Sequence, residues 1–211
     1  MNLPRSPALL VALALGWAVL ACSALARAGS EDIAMAARRQ VGVTVRYDPA
    51  YRTLVYPGGD VPADRGVCTD VIVRALRTAR AVDLQRQVHE DMKAHWDSYP
   101  HQRRWGLTKP DSNIDHRRVP NLMTFFKRAG YGVPITHAPA DYLPGDIVAW
   151  NLGGGVLHIG IVTNPESIAG TPRVVHNIGS GAREEDILFR FTVIGHYRLP
   201  AAATSSHVVS D

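Results

Sequence analysis

Three residues of chemically reactive types stand where they could act together: Cys68, His158 and His176. Cys68 follows a short loop and begins a predicted helix, where the helix N-terminus offers partial positive charge and free N–H groups. The nucleophilic form of cysteine is the thiolate, and a free thiol titrates near about 8.5, so it needs such help or an adjacent base at neutral pH. An imidazole can supply that base. The three residue types therefore predict covalent catalysis by an activated thiol.

The predicted helix turns the thiol toward the protein interior. Its small and apolar residues recur at helical spacing, so that the thiol lies on the inward face: Cys68, Ile72, Ala75, Leu76 and Ala79. We expect Asp64 to be the N-cap side chain and Gly66 to allow a tight turn into the helix. The alternative is that Cys68 is a small buried hydrophobe, which is a common fate of free cysteines.

The hydrophobic period changes from helical to alternating after about residue 140. Helices are predicted before this point, and four strands after it, at Ile147–Trp150, His158–Thr163, Arg173–Ile178 and Leu188–Leu199. Helices followed by strands are typical of an α+β fold with an antiparallel sheet. We expect the helix that carries Cys68 to pack on this sheet.

The two histidine-bearing strands have a predictable register. If they pair with Thr163 opposite Arg173, the period of two places His158, Gly160 and His176 on one face. His176 is then a diagonal neighbour of His158, within reach of an imidazole pair.

Asn177 is the rival for the third catalytic position, and it would point the other way in this register. A slip of one residue would exchange Asn177 with His176. Gly160 is expected to leave room on the shared face for the backbone of the cysteine helix.

The N-terminus has the pattern of an export signal. Arg5 precedes the apolar run Ala8–Leu20, and Ala26–Ala28 forms an Ala-x-Ala cleavage site, so residues 1–28 are expected to be a signal peptide. The run is shorter than the roughly 20 apolar residues of a membrane span. Attachment to a membrane is expected only if Cys22, which ends a lipobox-like Val19–Cys22 stretch, is lipidated.

The rest of the chain is interpreted as one cysteine hydrolase domain at residues 29–200 and a flexible tail at 201–211. Removal of residues 1–28 lowers the number of Lys and Arg residues from 23 to 21, against 19 acidic residues. This balance gives no indication of nucleic-acid binding. Cys68 would then be the one cysteine of an exported protein, where thiols are normally paired, which marks it as reactive.

A metal site is not predicted, although the chain has nine histidines. The stretch His89–Lys93 fails the His-Glu-x-x-His pattern, because Lys93 stands where the second ligand should be. No cofactor is expected either.

The long polar segment before residue 119 could line a cleft for an anionic substrate group. It carries four arginines that are candidates for this role, namely Arg103, Arg104, Arg117 and Arg118. The alternative is an ordinary solvated surface. We expect these arginines to contribute to substrate binding more than to turnover.

Four motifs, in this order, resemble the NlpC-type cell-wall peptidases: Cys68 opening a helix, Leu143–Val148, His158–Val162 and Val175–His176. The resemblance implies a papain-like fold, with Cys68 as nucleophile, His158 as general base and acid, and His176 as the orienting residue. It also implies a peptide substrate, such as the stem peptides of peptidoglycan. Tyr56, with Gly58 and Gly59, resembles the stretch that precedes the cysteine in those enzymes, and it could assist the helix N–H groups in holding an oxyanion.

Three further stretches, Gly66–Asp70, Asn113–Pro120 and Glu185–Leu188, resemble domain-of-unknown-function family 1287. That resemblance implies a fold and a candidate triad but no established substrate. The peptidases have Asp-Cys-Ser-Gly around the nucleophile, whereas this chain has a carboxylate at Asp70. That carboxylate could oppose thiolate formation or bind a substrate amine. A non-catalytic cell-wall binding module and an acyltransferase on the same fold remain alternatives.

Overall fold

A computed structural model describes residues 31–100, 105–164 and 170–200, together with the backbone of residues 165 and 166. The predicted signal peptide, the lipidation site and the C-terminal tail lie outside the described residues, as do Arg103 and Arg104. None of the described helices is long and apolar enough to cross a membrane.

The described chain is an α+β domain in which helices come first and strands later, as predicted. Its helices are α1 (31–38), α2 (Cys68–Arg80), α3 (Leu84–Ala94) and α4 (Val119–Arg128). Its strands are β1 (Arg46–Tyr47), β2 (Arg65–Gly66), β3 (Ile147–Asn151), β4 (Leu157–Glu166), β5 (Pro172–His176), β6 (Arg183–Glu185) and β7 (Thr192–Tyr197). Strands β3–β7 form one antiparallel sheet in the order β6-β5-β4-β3-β7, and β1 and β2 form a short parallel pair.

Strands β2 and β6 were not predicted, whereas β1 lies within Val43–Pro49, a stretch whose sequence predicts an extended conformation. Each of the two unpredicted strands has only two or three residues, which is too short for an alternating pattern to become visible. The α+β class and the packing of the helices on an antiparallel sheet are confirmed.

Both faces of the sheet are buried, and alternation along the strands assigns each residue to a face. The face toward α2 carries Ile159, Ile161 and Val175, which pack with Ile72 and Ala75 of the helix. The opposite face belongs to a second core cluster, formed by Tyr142, Val148, Trp150, Val162, Val174, Ile187 and Leu188.

The predicted register of the two histidine-bearing strands is confirmed. Thr163 lies opposite Arg173, Val162 opposite Val174 and Ile161 opposite Val175.

The start of α2 differs from the expectation. The N-cap residue is Val67 rather than Asp64, and the Asp64 carboxylate pairs with Arg65 at 3.0 Å. The helix start is stabilised by Asp70, whose Oδ2 accepts the N–H of Val67 at 2.6 Å. A Cβ at position 66 would stand 2.8 Å from this oxygen, so Gly66 permits the close approach.

Candidate active site

Cys68 is the first residue of α2, and its thiol lies at an opening in the sheet. Neighbouring strands β4 and β5 are paired as far as Ile161 and Val175. Past that point the Sγ atom of Cys68, rather than another strand, accepts the backbone N–H of Ile159. The N–H of Ile159 therefore holds the thiol one residue along the backbone from His158.

Burial raises the pKa of the Cys68 thiol to about 12. The Ile159 N–H favours the thiolate and offsets part of this increase, whereas the nearby Asp70 carboxylate adds to it. The side chain is only 6% exposed. In this arrangement Cys68 is a neutral thiol at pH 7.

A cleft of about 430 Å³ opens above the thiol, and we call it the thiol cleft. Its walls come from the β1 region, the segment before α4 and the start of β4, with Tyr47, Pro49, Trp105, Arg118, Val119 and Leu157 among the lining residues. A cavity of this size can accept a small part of a peptide, which is the scale of ordinary ligand sites.

His158 and His176 form a buried pair, as the register predicts. Nε2 of His158 lies 3.0 Å from Nδ1 of His176, and the two rings are nearly perpendicular. Trp150 stacks on the His158 ring with 5.8 Å between centroids. The ring of His158 is thus held by a hydrogen bond at one edge and by an indole on its face.

Gly160 has a different role from the expected one. A Cβ at this position would stand 2.6 Å from Val174 Cγ1 and 3.1 Å from His176 Cβ. The space over Gly160 is therefore occupied by β5 side chains rather than by the cysteine helix, which packs on the opposite face of the sheet.

Both histidines are neutral at pH 7. Burial and, to a smaller extent, the neighbouring His176 lower the pKa of His158 to about 3. Burial also lowers the pKa of His176, although the Glu185 carboxylate opposes this decrease. No hydrogen bond joins Cys68 to either ring within the described part of the chain. The site thus combines an uncharged thiol with an uncharged imidazole pair.

Glu185 is a member of the site that was not predicted from the sequence. Its Oε2 lies 2.9 Å from Nε2 of His176, a contact that is short but not aligned as a linear hydrogen bond. The sequence contained one indication, since Glu185 begins a stretch that resembles family 1287, but nothing local connects it to a histidine nine residues earlier.

Asn177 points away from the histidine pair. Its Nδ2 donates to the carbonyl of Gly66 at 2.9 Å, and the residue is fully buried. Asn177 therefore attaches the end of β5 to the loop that precedes Cys68.

Asp70 and Arg117 form a buried ion pair instead of lying free in the cleft. Arg117 donates through Nε and Nη2 to the two carboxylate oxygens of Asp70, at 3.0 Å each. It also donates to the carbonyls of Asp48 and Ala50. Because Asp70 is 1% exposed, neither a substrate amine nor a substrate carboxylate can readily compete for these groups. Both residues therefore have a structural contact that was not predicted, although Arg117 also lines the thiol cleft, and their substrate-binding roles stay predictions.

Tyr56 lies away from the thiol, and Tyr47 takes the position that was expected of it. The Tyr56 hydroxyl faces Glu90, and its ring contacts His89. Tyr47 lines the thiol cleft, and its pKa is raised by partial burial and then by the nearby Cys68 and Asp70.

Of the two arginines of the polar segment that the structure describes, Arg118 is the one that remains available to a ligand. Its guanidinium lies 4.3 Å from the centroid of the Trp105 ring, and both residues line the thiol cleft. Its Nη1 is buried and has no hydrogen-bond partner in the structure. Burial lowers the pKa of Arg118, but Asp115 and Asp111 partly compensate.

No group of three or more His, Cys, Asp and Glu side chains within the described ranges is arranged to hold a metal ion. The fold and the site thus define an α+β protein with a thiol at a helix N-terminus, beside an antiparallel sheet that carries a buried histidine pair.

Comparison with known proteins gives the family. Residues 34–199 match the model described as "Domain of unknown function (DUF1287)", and the chain belongs to that family. The uncharacterized protein YijF of Escherichia coli (strain K12) is 56% identical over 166 residues, which are 79% of this chain and 80% of YijF. The solved structure of NlpC1 from Trichomonas vaginalis matches 80% of this chain but only 43% of its own, with 12% identity and a TM-score of 0.41.

Proposed function

We propose that this protein is a cysteine hydrolase that cleaves an amide or peptide bond, with Cys68 as nucleophile, His158 as general base and acid, and His176 as the residue that orients His158. One observation carries the proposal. The Sγ of Cys68 accepts the backbone N–H of Ile159, the residue after His158, and Nε2 of His158 lies 3.0 Å from Nδ1 of a second imidazole. A nucleophile, a base and a group that orients the base are the three parts of such a site.

The reaction would begin with transfer of the thiol proton to Nδ1 of His158, which no described residue hydrogen-bonds. The thiolate then attacks the substrate carbonyl carbon, and the free N–H groups at the start of α2 stabilise the oxyanion. The C–N bond breaks as the imidazolium returns its proton to the leaving amine. Water, activated by the same imidazole, hydrolyses the thioester and regenerates the thiol. Because burial favours both uncharged forms, we expect proton transfer only when substrate occupies the thiol cleft.

The proposed substrate carries a carboxylate near the cleaved bond. Arg118 supports this choice, since it has a buried donor without a partner and its charge faces the cleft. Stem peptides of peptidoglycan have this chemistry, and the NlpC-type resemblance of the motifs favours them. A periplasmic or secreted location, reached through a cleaved signal peptide, fits such a substrate.

The decisive experiment is to incubate the purified protein with peptidoglycan fragments and to identify the products by mass spectrometry. Cys68→Ala should abolish cleavage, because losing an activated nucleophile costs several orders of magnitude in kcat. Its melting temperature should stay within a few degrees of wild type. Cleavage at the wild-type rate by Cys68→Ala would refute the proposal. The same spectra separate hydrolysis from acyl transfer, since transfer adds the mass of an acceptor amine rather than that of water.

A non-catalytic cell-wall binding module is the second candidate, and the raised pKa of the buried Cys68 thiol favours it. Alkylation by iodoacetamide distinguishes the two. A hydrolase should show fast, pH-dependent labelling that substrate fragments alter, whereas a binding module should show slow labelling that follows the titration of an ordinary buried thiol.

A further inference from the structure

We infer that Glu185 is a positioning residue that sets the tautomers of His176 and His158, so that the nitrogen left without a proton is Nδ1 of His158. The assignment of tautomers stands on geometry alone. Its consequence for turnover rests on the proposed function.

The tautomers follow from the order of contacts. An ionised carboxylate only accepts hydrogen bonds, and a neutral imidazole has one N–H and one lone pair. Oε2 of Glu185 lies 2.9 Å from Nε2 of His176, which is too far from linear for a hydrogen bond but close enough for its negative charge to favour a proton on Nε2, so that Nδ1 is the acceptor. Nε2 of His158, 3.0 Å from that acceptor, must then be the donor. Nδ1 of His158 is left as the base.

Of the groups near His176, Glu185 is the one that can set these tautomers. The His176 ring is buried, and the Glu185 side chain is 41% exposed, so its carboxylate keeps contact with solvent while it faces a ring that does not. Among the described residues, the other titratable or charged ones on this side of the ring are His158 on β4 and Arg183, the cross-strand partner of His176. Arg183 is exposed, and it cannot accept a hydrogen bond.

The adjacent Glu184 offers a matched control on the same strand. It points to the opposite face of the sheet, where its Oε1 accepts from Thr163 Oγ1 at 2.6 Å and pairs with Arg38 at 3.1 Å. The two glutamates therefore differ in their histidine contact while sharing strand, charge and type.

The catalytic consequence is the stabilisation of a charge that forms at His158. When Nδ1 takes the thiol proton, the resulting imidazolium donates through Nε2 to His176, and the Glu185 carboxylate strengthens His176 as an acceptor. Without Glu185, His176 can adopt the other tautomer, with a proton on Nδ1 facing His158. That tautomer would place the His158 proton on Nδ1 and remove the base.

The test uses the full protein with ¹⁵N-labelled histidine, read by NMR at pH 7. Wild type should show His158 and His176 both protonated at Nε2, and Glu185→Ala should show a mixture of tautomers for the pair. Glu184→Ala should keep the wild-type pattern, and Glu185→Asp should restore it in part. An unchanged pattern in Glu185→Ala, or an equal change in Glu184→Ala, would overturn the inference.

Kinetics on a cleaved substrate give the second measurement. Glu185→Ala should lower kcat roughly 10- to 100-fold with little change in KM, since general base catalysis contributes about 10²–10⁴-fold in total. The acid limb of its pH profile should move to lower pH, because the carboxylate raises the pKa of the pair. If wild type cleaves nothing, the proposed function fails, but the NMR spectra still decide the inference.

Discussion

Two buried histidines at different places in the sheet, His158 on β4 and His196 on β7, show what separates a reactive side chain from a structural one. His196 uses both ring nitrogens: Nδ1 faces the Pro134 carbonyl at 2.9 Å, and Nε2 faces Asp146 at 2.8 Å. Asp146 is held in turn by Arg198 at 2.7 and 2.6 Å. His158 bonds through Nε2 alone.

The two histidines differ in how many of their ring nitrogens are hydrogen-bonded. A fully bonded buried network contributes stability and orientation, since each lost partner would leave a polar group unpaired. A ring with one free nitrogen contributes less to stability but can accept a proton. The same contrast separates Arg117, whose donors hold Asp70 and two carbonyls, from Arg118, which has a buried donor without a partner.

The largest expected effect is that His158→Ala mainly lowers activity, whereas His196→Ala mainly lowers stability. His158→Ala should lower kcat by about 10²–10⁴-fold, because it removes the base, with a smaller loss of stability than His196→Ala, since only Nδ1 of His176 loses its partner. His196→Ala should cost on the order of 3 kcal/mol of folding free energy, because Asp146 loses a partner in a buried network. Activity assays and urea unfolding of both variants provide the check. A comparable loss of kcat per folded molecule in His196→Ala would remove the distinction.

At the neighbouring positions 176 and 177, His176→Ala should likewise mainly lower activity, and Asn177→Ala should mainly lower stability. His176→Ala should lose most of kcat and shift the pH profile of Cys68 alkylation, because the base loses its orienting partner. Asn177→Ala should cost about 0.5–1.5 kcal/mol of stability, since it removes one buried hydrogen bond to the Gly66 carbonyl, which keeps the N–H of Asp48 as a donor. The reverse outcome would assign the orienting role to Asn177.

Acid should destabilise the protein before its carboxylates titrate. The folded-state pKa is about 3 for His158 and about 4 for His116, both lowered mainly by burial. Each contribution is therefore present above pH 6.5 and is lost as pH falls toward the folded-state value. For His116 the loss is on the order of 3 kcal/mol by pH 4, at about 1.4 kcal/mol per pKa unit. Urea unfolding at several pH values measures this loss, and His116→Gln should reduce the slope. A flat profile between pH 7 and 4 would contradict the prediction.

The smallest effect is expected at Arg118. Arg118→Ala should raise KM for an acidic substrate several-fold and leave kcat nearly unchanged, because a remote charge contributes mainly uniform binding. Salt should reduce the difference from wild type. The matched Arg117→Ala should instead lower stability by about 3–5 kcal/mol, since it leaves Asp70 buried and unpaired. If the difference in KM between Arg118→Ala and wild type is absent or does not depend on ionic strength, the residue is ordinary surface.

The parts of the site that were predicted correctly depend on local pattern. The facing of His158 and His176 follows from strand alternation and a short connection, because a register that buries Val162, Val174 and their neighbours admits no slip of one residue. The errors concern groups whose roles depend on distant partners. Tyr56 was chosen by its place before a double glycine, whereas Tyr47 lies at the thiol because β1 pairs with β2 beside the start of α2.

The sequence by itself determined the α+β order of elements, the helix that opens at Cys68 and the register that pairs the two histidines, since each depends on spacing within one or two adjacent segments. Only the tertiary structure decided which charges are free. Asp70 is neutralised by Arg117 from 47 residues away, and Glu185 reaches His176 through a strand too short to be predicted. The physical reason is that a charge becomes structural or reactive according to the partners that burial supplies, and these partners come from distant parts of the chain.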